Sequence, residues 1–298
     1  MSSTLAGIGP TPVDVPIVVH ALAGRLQPGA TVAPVWYNEY GGLTVRLEGR
    51  RADPHRTDLG SRARSGSSGS SYLKWVPRGA PCPDPLAEAD RLLWAGTVVR
   101  VPRVLDAGRN RRGSWLLTAA VEVDGAVATS GIAPQWCALA ERSAIAIGAG
   151  LRRFHDALPT DTCPFVRPAR TRVAALTAAP AAALTGAERA AVQASLGAPP
   201  PVDRLVVCHG DATVPNTLLD EIGRFAAHVD VGDLGVADRW SDIAVATRSV
   251  ARRYGADLES LVLAAYGVAP DPERTAYYRA LWDAEETVRT RRRALVQL

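Results

Sequence analysis

The sequence predicts an α+β chain in two lobes: a mostly antiparallel N-terminal sheet with one packed helix, then a mainly helical C-terminal lobe. Short runs of β-formers separated by glycine turns crowd the first part, and stretches with apolar residues at helical spacing dominate the second. A chain of 298 residues with 47% hydrophobic content is long enough to give each lobe its own core. The lobes are expected at 1–120 and 121–298.

The elements follow in order. Residues 1–30 are rich in alanine and proline, with a short helical pattern around His20–Leu26. Ala33–Tyr37 and Leu43–Leu47 read as strands around a turn that holds Gly41 and Gly42. Such a hairpin can lay its backbone over nucleotide phosphates, although Gly-Gly between strands is ordinarily just a turn. The segment RRADPHRTDLGSRARSGSSGSS, residues 50–71, has no periodicity and a Gly/Ser ending, which predicts a flexible, inert surface loop, with contact of its arginines to nucleotide phosphates as the alternative. Tyr72–Val76 is the next strand, and Lys74 at its centre is the chain's single lysine. Elsewhere the chain uses arginine, so a compact point charge is wanted here. A partly buried lysine is costly to desolvate without an anion. The expected anions are nucleotide phosphates and a helix glutamate, Glu88, with Asp90 and Glu141 as alternatives. In the helix Pro85–Trp94, the residues Leu86, Ala89, Leu92 and Leu93 form the expected buried stripe, with Glu88 at its margin. Strands are expected at Val101–Asp106 and Ser114–Ala120. One long helix is expected over Gln135–Leu158, carrying Leu139, Ile145, Ile147, Leu151 and Phe154 inward, with His155 structural. An alanine-rich helical region follows over Thr171–Leu196.

The chemistry concentrates further on. Leu205–Cys208 delivers a His209-Gly210-Asp211 turn, Asn216 follows five residues after Asp211, and a second strand, Phe225–Val229, ends on Asp230-Val231-Gly232. This set suits phosphoryl transfer: one carboxylate orients the attacking hydroxyl and accepts its proton, while an amide oxygen and a second carboxylate hold Mg²⁺ on the phosphates. Asp and Asn are also ordinary turn residues; the ordered set is what makes the pattern specific. Asp238 or Ser241 is expected to cap a helix running to Arg253, and Asp242 to bond backbone near the turn beside a scaffolding His209.

HGDATVPN followed by HVDVGDLGVADRWSDIAVATRS resembles the aminoglycoside O-phosphotransferase family, antibiotic kinases related in fold to protein kinases, with the 3′-phosphotransferases of the kanamycin and neomycin type the nearest pattern. The resemblance runs from about Val35 to about Asp283 and implies a protein-kinase-like two-lobed fold and ATP and Mg²⁺ as cofactors. It implies Asp211 as base or orienter, Asn216 and Asp230 as metal ligands, and Lys74 paired with Glu88 on the phosphates. Gly41 and Gly42 would cover the nucleotide, and backbone groups of Ala119 and Val121 would read the base. A backbone readout leaves GTP open beside ATP. Residues 50–71 become an insertion in this comparison. The acceptor side departs from the pattern: Arg252-Arg253 replaces an acidic pair, Gly232-Asp233 replaces Gly-Arg, and Leu281-Trp282-Asp283-Ala284-Glu285-Glu286 replaces a terminal Leu-Leu-Asp-Glu-Phe-Phe before a basic extension to Leu298. Asp233, Arg248 and Asp283 are the candidate substrate contacts.

The expected reaction is phosphorylation of an aminoglycoside hydroxyl, 3′ favoured, which gives antibiotic resistance. The alternative is the same chemistry on a less cationic antibiotic of nucleoside, aminocyclitol or peptide type, as self-protection in a producer. A non-catalytic nucleotide-binding scaffold has no need of Lys74, Asp211, Asn216 and Asp230 together. The net charge of +4 comes from scattered arginines without interleaved aromatics, which argues against nucleic acid as a partner. No run of eighteen apolar residues and no basic-then-apolar leader occur, so a membrane partner and secretion are not expected. Cys82, Cys137, Cys163 and Cys208 form no CxxC pair, so zinc is not expected and a cytoplasmic location is. The partner is a small molecule, and the chain a monomer or weak dimer.

Overall fold

A computed structural model describes residues 14–37, 41–49, 69–80, 82–179 and 183–296, with side chains as far as residue 291. In chain order the elements are α1 (Ile17–Leu26), β1 (Thr31–Tyr37), β2 (Leu43–Glu48), β3 (Ser71–Pro77), α2 (Pro85–Ala95), β4 (Val104–Arg109), β5 (Gly113–Ala119), β6 (Glu122–Val123), β7 (Ala126–Val127) and β8 (Thr129–Ser130). Then follow α3 (Pro134–Ala138), α4 (Ala140–Ala157), α5 (Ala169–Thr177), α6 (Gly186–Leu196), β9 (Leu205–Cys208), β10 (Thr217–Leu219), β11 (Phe225–His228), β12 (Gly235–Asp238), α7 (Trp240–Tyr254), α8 (Glu259–Tyr266) and α9 (Pro272–Val296).

The N-terminal strands form one antiparallel sheet in the order β1-β2-β3-β5-β4. Alternation along β3 sends Leu73 and Trp75 to one face and Lys74 to the other. On the first face Val19, Leu22 and Ala23 of α1 pack on Leu43, Val45, Leu47, Leu73, Trp75, Trp115 and Leu117. Each large side chain fully buried there contributes roughly 1.5–3 kcal/mol. On the second face Ala89, Leu92 and Ala95 of α2 meet Leu116 of β5, Phe154 and Leu158 of α4, Val207 of β9, and Val231 and Leu234. That cluster fastens the sheet to the segments carrying the aspartates. The largest cluster lies beyond it, where Ile147 and Leu151 of α4, Trp240 and Ile243 of α7, Tyr266 of α8 and Leu281 of α9 pack together. Gly148 sets the α4–α8 spacing: a Cβ there would stand 2.4 Å from the Val262 carbonyl oxygen. No helix among the described residues is long and apolar enough to cross a membrane.

Several expectations need correction. Glu88 is buried rather than marginal, while Leu93 is exposed, because α2 is rotated to bring Glu88 over Lys74. The helix expected over 135–158 is two, α3 and α4. The break is held by the Ser143 hydroxyl, which donates to the Trp136 and Leu139 carbonyls, and it leaves Leu139 and Ile145 exposed. The alanine-rich region is likewise two helices, α6 opening on a reciprocal Thr185–Glu188 cap. Of the strands leading into the two aspartates, β9 pairs with β12, and β11 with β10. Neither Asp238 nor Ser241 is the cap of α7, a place Arg239 holds; Asp238, one residue earlier, accepts the Trp240 amide at 3.0 Å. Most of the 50–71 insertion and residues 38–40 lie outside the described residues. The insertion's last two residues are buried, and Ser71 opens β3, donating to Gln27 at 2.6 Å.

Substituting Gly148→Val should destabilise the fold by about 1–3 kcal/mol in urea unfolding, since the obstacle is backbone. Gly24→Ala, where nothing lies within 4 Å, should be neutral or stabilising by up to about 1 kcal/mol.

Candidate active site

The His209-Gly210-Asp211 turn at the end of β9 is held by a buried carboxylate. Asp242 of α7 accepts the His209 amide at 2.5 Å and the Gly210 amide at 2.9 Å. Its Oδ2 also faces His155 Nε2 at 3.0 Å, and His155 Nδ1 faces the Tyr266 hydroxyl at 2.8 Å. Burial alone would raise the Asp242 pKa; the His155 imidazole and the Gly210 amide outweigh it and bring it down to about 2. The expected structural roles of Asp242, His155 and His209 match these contacts. His209 accepts the Asp211 amide on Nδ1 at 3.1 Å and donates from Nε2 to the Val229 carbonyl at 2.9 Å, tying the turn to the end of β11. Only glycine fits the middle of the turn: Gly210 has φ +89°, and a Cβ would lie 2.3 Å from the Asp233 carbonyl oxygen.

Asn216 closes a short 3₁₀ turn, Val214–Asn216. Its amide nitrogen donates to Asp211 Oδ2 at 2.9 Å and to the Asp211 carbonyl at 3.0 Å. With the nitrogen so engaged, Oδ1 is the side-chain atom of Asn216 that could accept a cation. Burial pushes the Asp211 carboxyl above the usual aspartate range.

Across from this pair, Lys74 Nζ stands 2.5 Å from Glu88 Oε2 and 2.7 Å from Asp230 Oδ1. Glu88, not Asp90 or Glu141, is therefore the helix glutamate that meets the lysine. Burial disfavours the Lys74 charge, but Asp230 and Glu88 outweigh it and raise the lysine's pKa. The lysine in turn holds Asp230 below the usual range. Asp230 has φ +57°, rare for a residue with a Cβ, so the chain accepts backbone strain to aim this half-exposed carboxylate. Hard oxygen donors, Asn216 Oδ1 and the Asp230 carboxylate, fit a cation such as Mg²⁺.

Gly41, at φ +87°, and Gly42 lie just before β2. Ala119 ends β5 and gives its amide to the Arg103 carbonyl at 2.9 Å; the Val121 carbonyl accepts from Ala128 at 2.8 Å. The substrate candidates are drawn into ion pairs: Arg248 with Asp283, and Asp233 with Arg167 at 3.5 Å. Arg252 and Arg253 diverge, Arg253 donating to the Ile132 carbonyl at 2.7 Å while Arg252 faces the Trp282 ring. Three arginines went unread in the sequence. Arg91, one turn after Glu88, donates to the Leu234 carbonyl at 3.0 Å and so ties α2 to the Asp230 loop. Arg172 grips Glu285 through two bonds of 2.8 and 2.7 Å and reaches Ser241 at 2.6 Å, while Arg167 lies 3.7 Å from the same glutamate. Arginines distant in sequence left no motif to find them by.

An α+β chain in which a lysine–glutamate pair faces a His-Gly-Asp turn, an asparagine and a second aspartate has the architecture of a kinase. The chain belongs to the phosphotransferase enzyme family, whose pattern matches residues 62–278. It is 31% identical to the streptomycin 3″-kinase of Streptomyces griseus, over 80% of this chain and 94% of that one. It is 35% identical to the aminoglycoside 3′-phosphotransferase of Streptomyces fradiae, over 70% and 84%. Among solved structures it superposes on an aminoglycoside 3′-phosphotransferase of type VIII with TM-score 0.69 and 29% identity, covering 89% of this chain and 97% of that one. An aminoglycoside phosphotransferase of Streptomyces rimosus in complex with ADP and streptomycin follows at 0.62 and 26%, covering 91% and 99%. The fold is protein-kinase-like, and the chain is an antibiotic-kinase-type enzyme.

Replacing Asp242 by Ala should destabilise the protein by about 3 kcal/mol or more, because two buried amides and His155 lose their acceptor. The same carboxyl contributes to acid unfolding. Its pKa is depressed in the fold, so its contribution is complete above the unfolded aspartate value of about 4 and disappears as pH falls to about 2. Wild-type stability followed by circular dichroism should drop through that window, and Asp242→Asn should flatten the drop.

Proposed function

We propose that the chain transfers the γ-phosphoryl group of ATP to a hydroxyl of an aminoglycoside, the 3′-hydroxyl being favoured, and so confers resistance to the drug. The observation that carries this is the convergence of Lys74, Glu88 and Asp230 with the Asp211–Asn216 pair, because each member has a separate task in phosphoryl transfer and together they have no structural need. The relatives named for aminoglycoside 3′-phosphotransferase and streptomycin 3″-kinase activity support the substrate class.

Asp211 accepts the hydroxyl proton as the acceptor oxygen bonds to the γ-phosphorus, the bond from that phosphorus to the β,γ-bridging oxygen breaks, and ADP leaves. The loose transition state asks Asp211 for orientation more than basicity, and Asn216 supplies it by fixing Oδ2. Lys74, positioned by Glu88, holds phosphate oxygens. Asn216 Oδ1 and Asp230 would hold Mg²⁺, which neutralises phosphate charge when bound. Gly41 and Gly42 lie over the phosphates. The carbonyl of Ala119 and the amide of Val121 meet the base edge, their opposite groups being engaged elsewhere. Such a readout admits GTP as well as ATP.

Asp211→Ala should lower kcat at least ~10²-fold while leaving nucleotide affinity nearly intact; retention of a tenth of wild-type kcat would remove Asp211 from this role. The wild-type rate has a sign-defined pH dependence. Only the ionised carboxylate accepts a proton, and burial raises its pKa, so kcat should fall on acidification at a pH above the ordinary aspartate range. Asp230→Ala should weaken the magnesium dependence of ATP binding more than Asn216→Ala, because it removes a charge. Magnesium titrations of nucleotide affinity compare the two.

A further inference from the structure

The turn that carries Asn216 is held from outside by Ser130-Gly131-Ile132, a segment to which the phosphotransferase reading gives no task. The segment begins at the end of β8, which pairs with β10 so that Ser130 lies opposite Leu218. Two backbone carbonyls flank Asn216, and consecutive residues of this segment hold both. The Ser130 hydroxyl donates to the Pro215 carbonyl at 2.7 Å, and the Gly131 amide donates to the Thr217 carbonyl at 2.9 Å. Gly131 comes so close to the turn that a Cβ on it would stand 2.8 Å from the Val214 carbonyl oxygen.

The end of α7 braces the same segment. The Tyr254 hydroxyl donates to the Gly131 carbonyl at 2.5 Å, and Arg253 Nη2 donates to the Ile132 carbonyl at 2.7 Å. Burial lifts the Tyr254 phenol to about 12, so it stays a donor at neutral pH. Arg253, one of the two arginines standing where the resembled pattern is acidic, is thus engaged with backbone. On the other side of the turn the Val229 amide donates to the Asn216 carbonyl at 3.0 Å, one residue before Asp230.

Two planar peptide units meet at the Asn216 Cα, and their orientations set where its side chain points. Val229 fixes the second plane. The first holds the Pro215 carbonyl and the Asn216 amide; the amide bonds the Thr213 carbonyl at 3.1 Å within the turn, and Ser130 supplies the bond from outside it. Resting on the phosphotransferase reading, we infer that Ser130 is a positioning residue for the cation site: its hydroxyl fixes the peptide plane before Asn216 and so holds Asn216 Oδ1 in place to share a magnesium ion with Asp230.

The test is the affinity of the full chain for AMP-PNP, a non-transferring ATP analogue, measured by calorimetry across a magnesium titration. Ser130→Ala should raise the magnesium midpoint about threefold or more, short of the roughly 10–100-fold typical of a group bonded directly to a metal ligand, with metal-free affinity unchanged. Ser130→Thr keeps the hydroxyl and should keep the wild-type midpoint. Tyr254→Phe, which frees only the Gly131 carbonyl, should move the midpoint the same way by less. Thr247→Ala removes another buried hydroxyl, one bonded to the Ile243 carbonyl within α7 at 2.8 Å, and should lower Tm without moving the midpoint. An unmoved midpoint in Ser130→Ala, a threonine variant no better than the alanine one, or an equal shift in Thr247→Ala overturns the inference. If Ser130→Ala does not fold, an unmoved midpoint in Tyr254→Phe overturns it. Nucleotide binding that ignores magnesium in wild type would instead overturn the cation-site reading, and the role of Ser130 with it.

Discussion

One ammonium group, Lys74 Nζ, holds the site together. It stands between Glu88 of α2 and Asp230 beyond β11, so it ties the N-terminal sheet, its packed helix and a loop from the far end of the chain into one arrangement. Taking a lysine out of water is expensive, and a buried ion pair recovers that cost only with close geometry on more than one side. Two carboxylates within hydrogen-bonding distance supply it. The packing around the ammonium repeats the same link in apolar terms: Leu92 of α2, Leu116 of β5, Val207 of β9 and Val231 lie in a single cluster. Arg91 adds a third tie by bonding the Leu234 carbonyl. Lys74 is therefore a partly desolvated charge held in place, with Asp230 beside it.

A second buried charge does the equivalent work for the turn. Asp242 organises His209 and Gly210 from below, so Asp211 need not be anchored by its own neighbours and its carboxylate is free for Asn216 and for a substrate. The strain at Asp230 and the left-handed Gly210 sit on either side of this point. Local geometry that costs free energy is concentrated where the chemistry is, and the hydrophobic clusters of α4, α7, α8 and α9 offset it.

The convergence of Lys74, Glu88, Asp211, Asn216 and Asp230 was legible in the sequence because its signals are local. A lone lysine in a strand, His-Gly-Asp after an apolar run and an asparagine at fixed spacing need no tertiary knowledge to be noticed. The sheet was legible through its alternation, although its pairing was not: nothing local tells β9 to choose β12 over β11. Helix boundaries were misread for a related reason. The break at Leu139 depends on the Ser143 hydroxyl bonding backbone carbonyls, a contact no periodicity reports, whereas the start of α6 was readable from Thr185 and Glu188 as a capping box. The acceptor side was least legible. Arg167, Arg172 and Glu285 come together from three segments, and identical arginines elsewhere lie on the surface, so composition cannot tell a network from a solvated charge. Arg252 and Arg253, adjacent in sequence, turned out to face different partners.

The central claim, that Lys74 presents a compact charge to nucleotide phosphates for transfer to a drug hydroxyl, is tested most directly by single-turnover transfer from γ-³²P-ATP to a purified aminoglycoside. Wild type is compared with Lys74→Arg, which keeps the charge but replaces the point ammonium with a broad planar fork. The account predicts label on the drug with wild type and at least ~10-fold slower labelling with the variant, since misplacement of a positioning group by about 1 Å costs on the order of 10²-fold. Equal labelling by the two proteins, or label found only in inorganic phosphate, would contradict it.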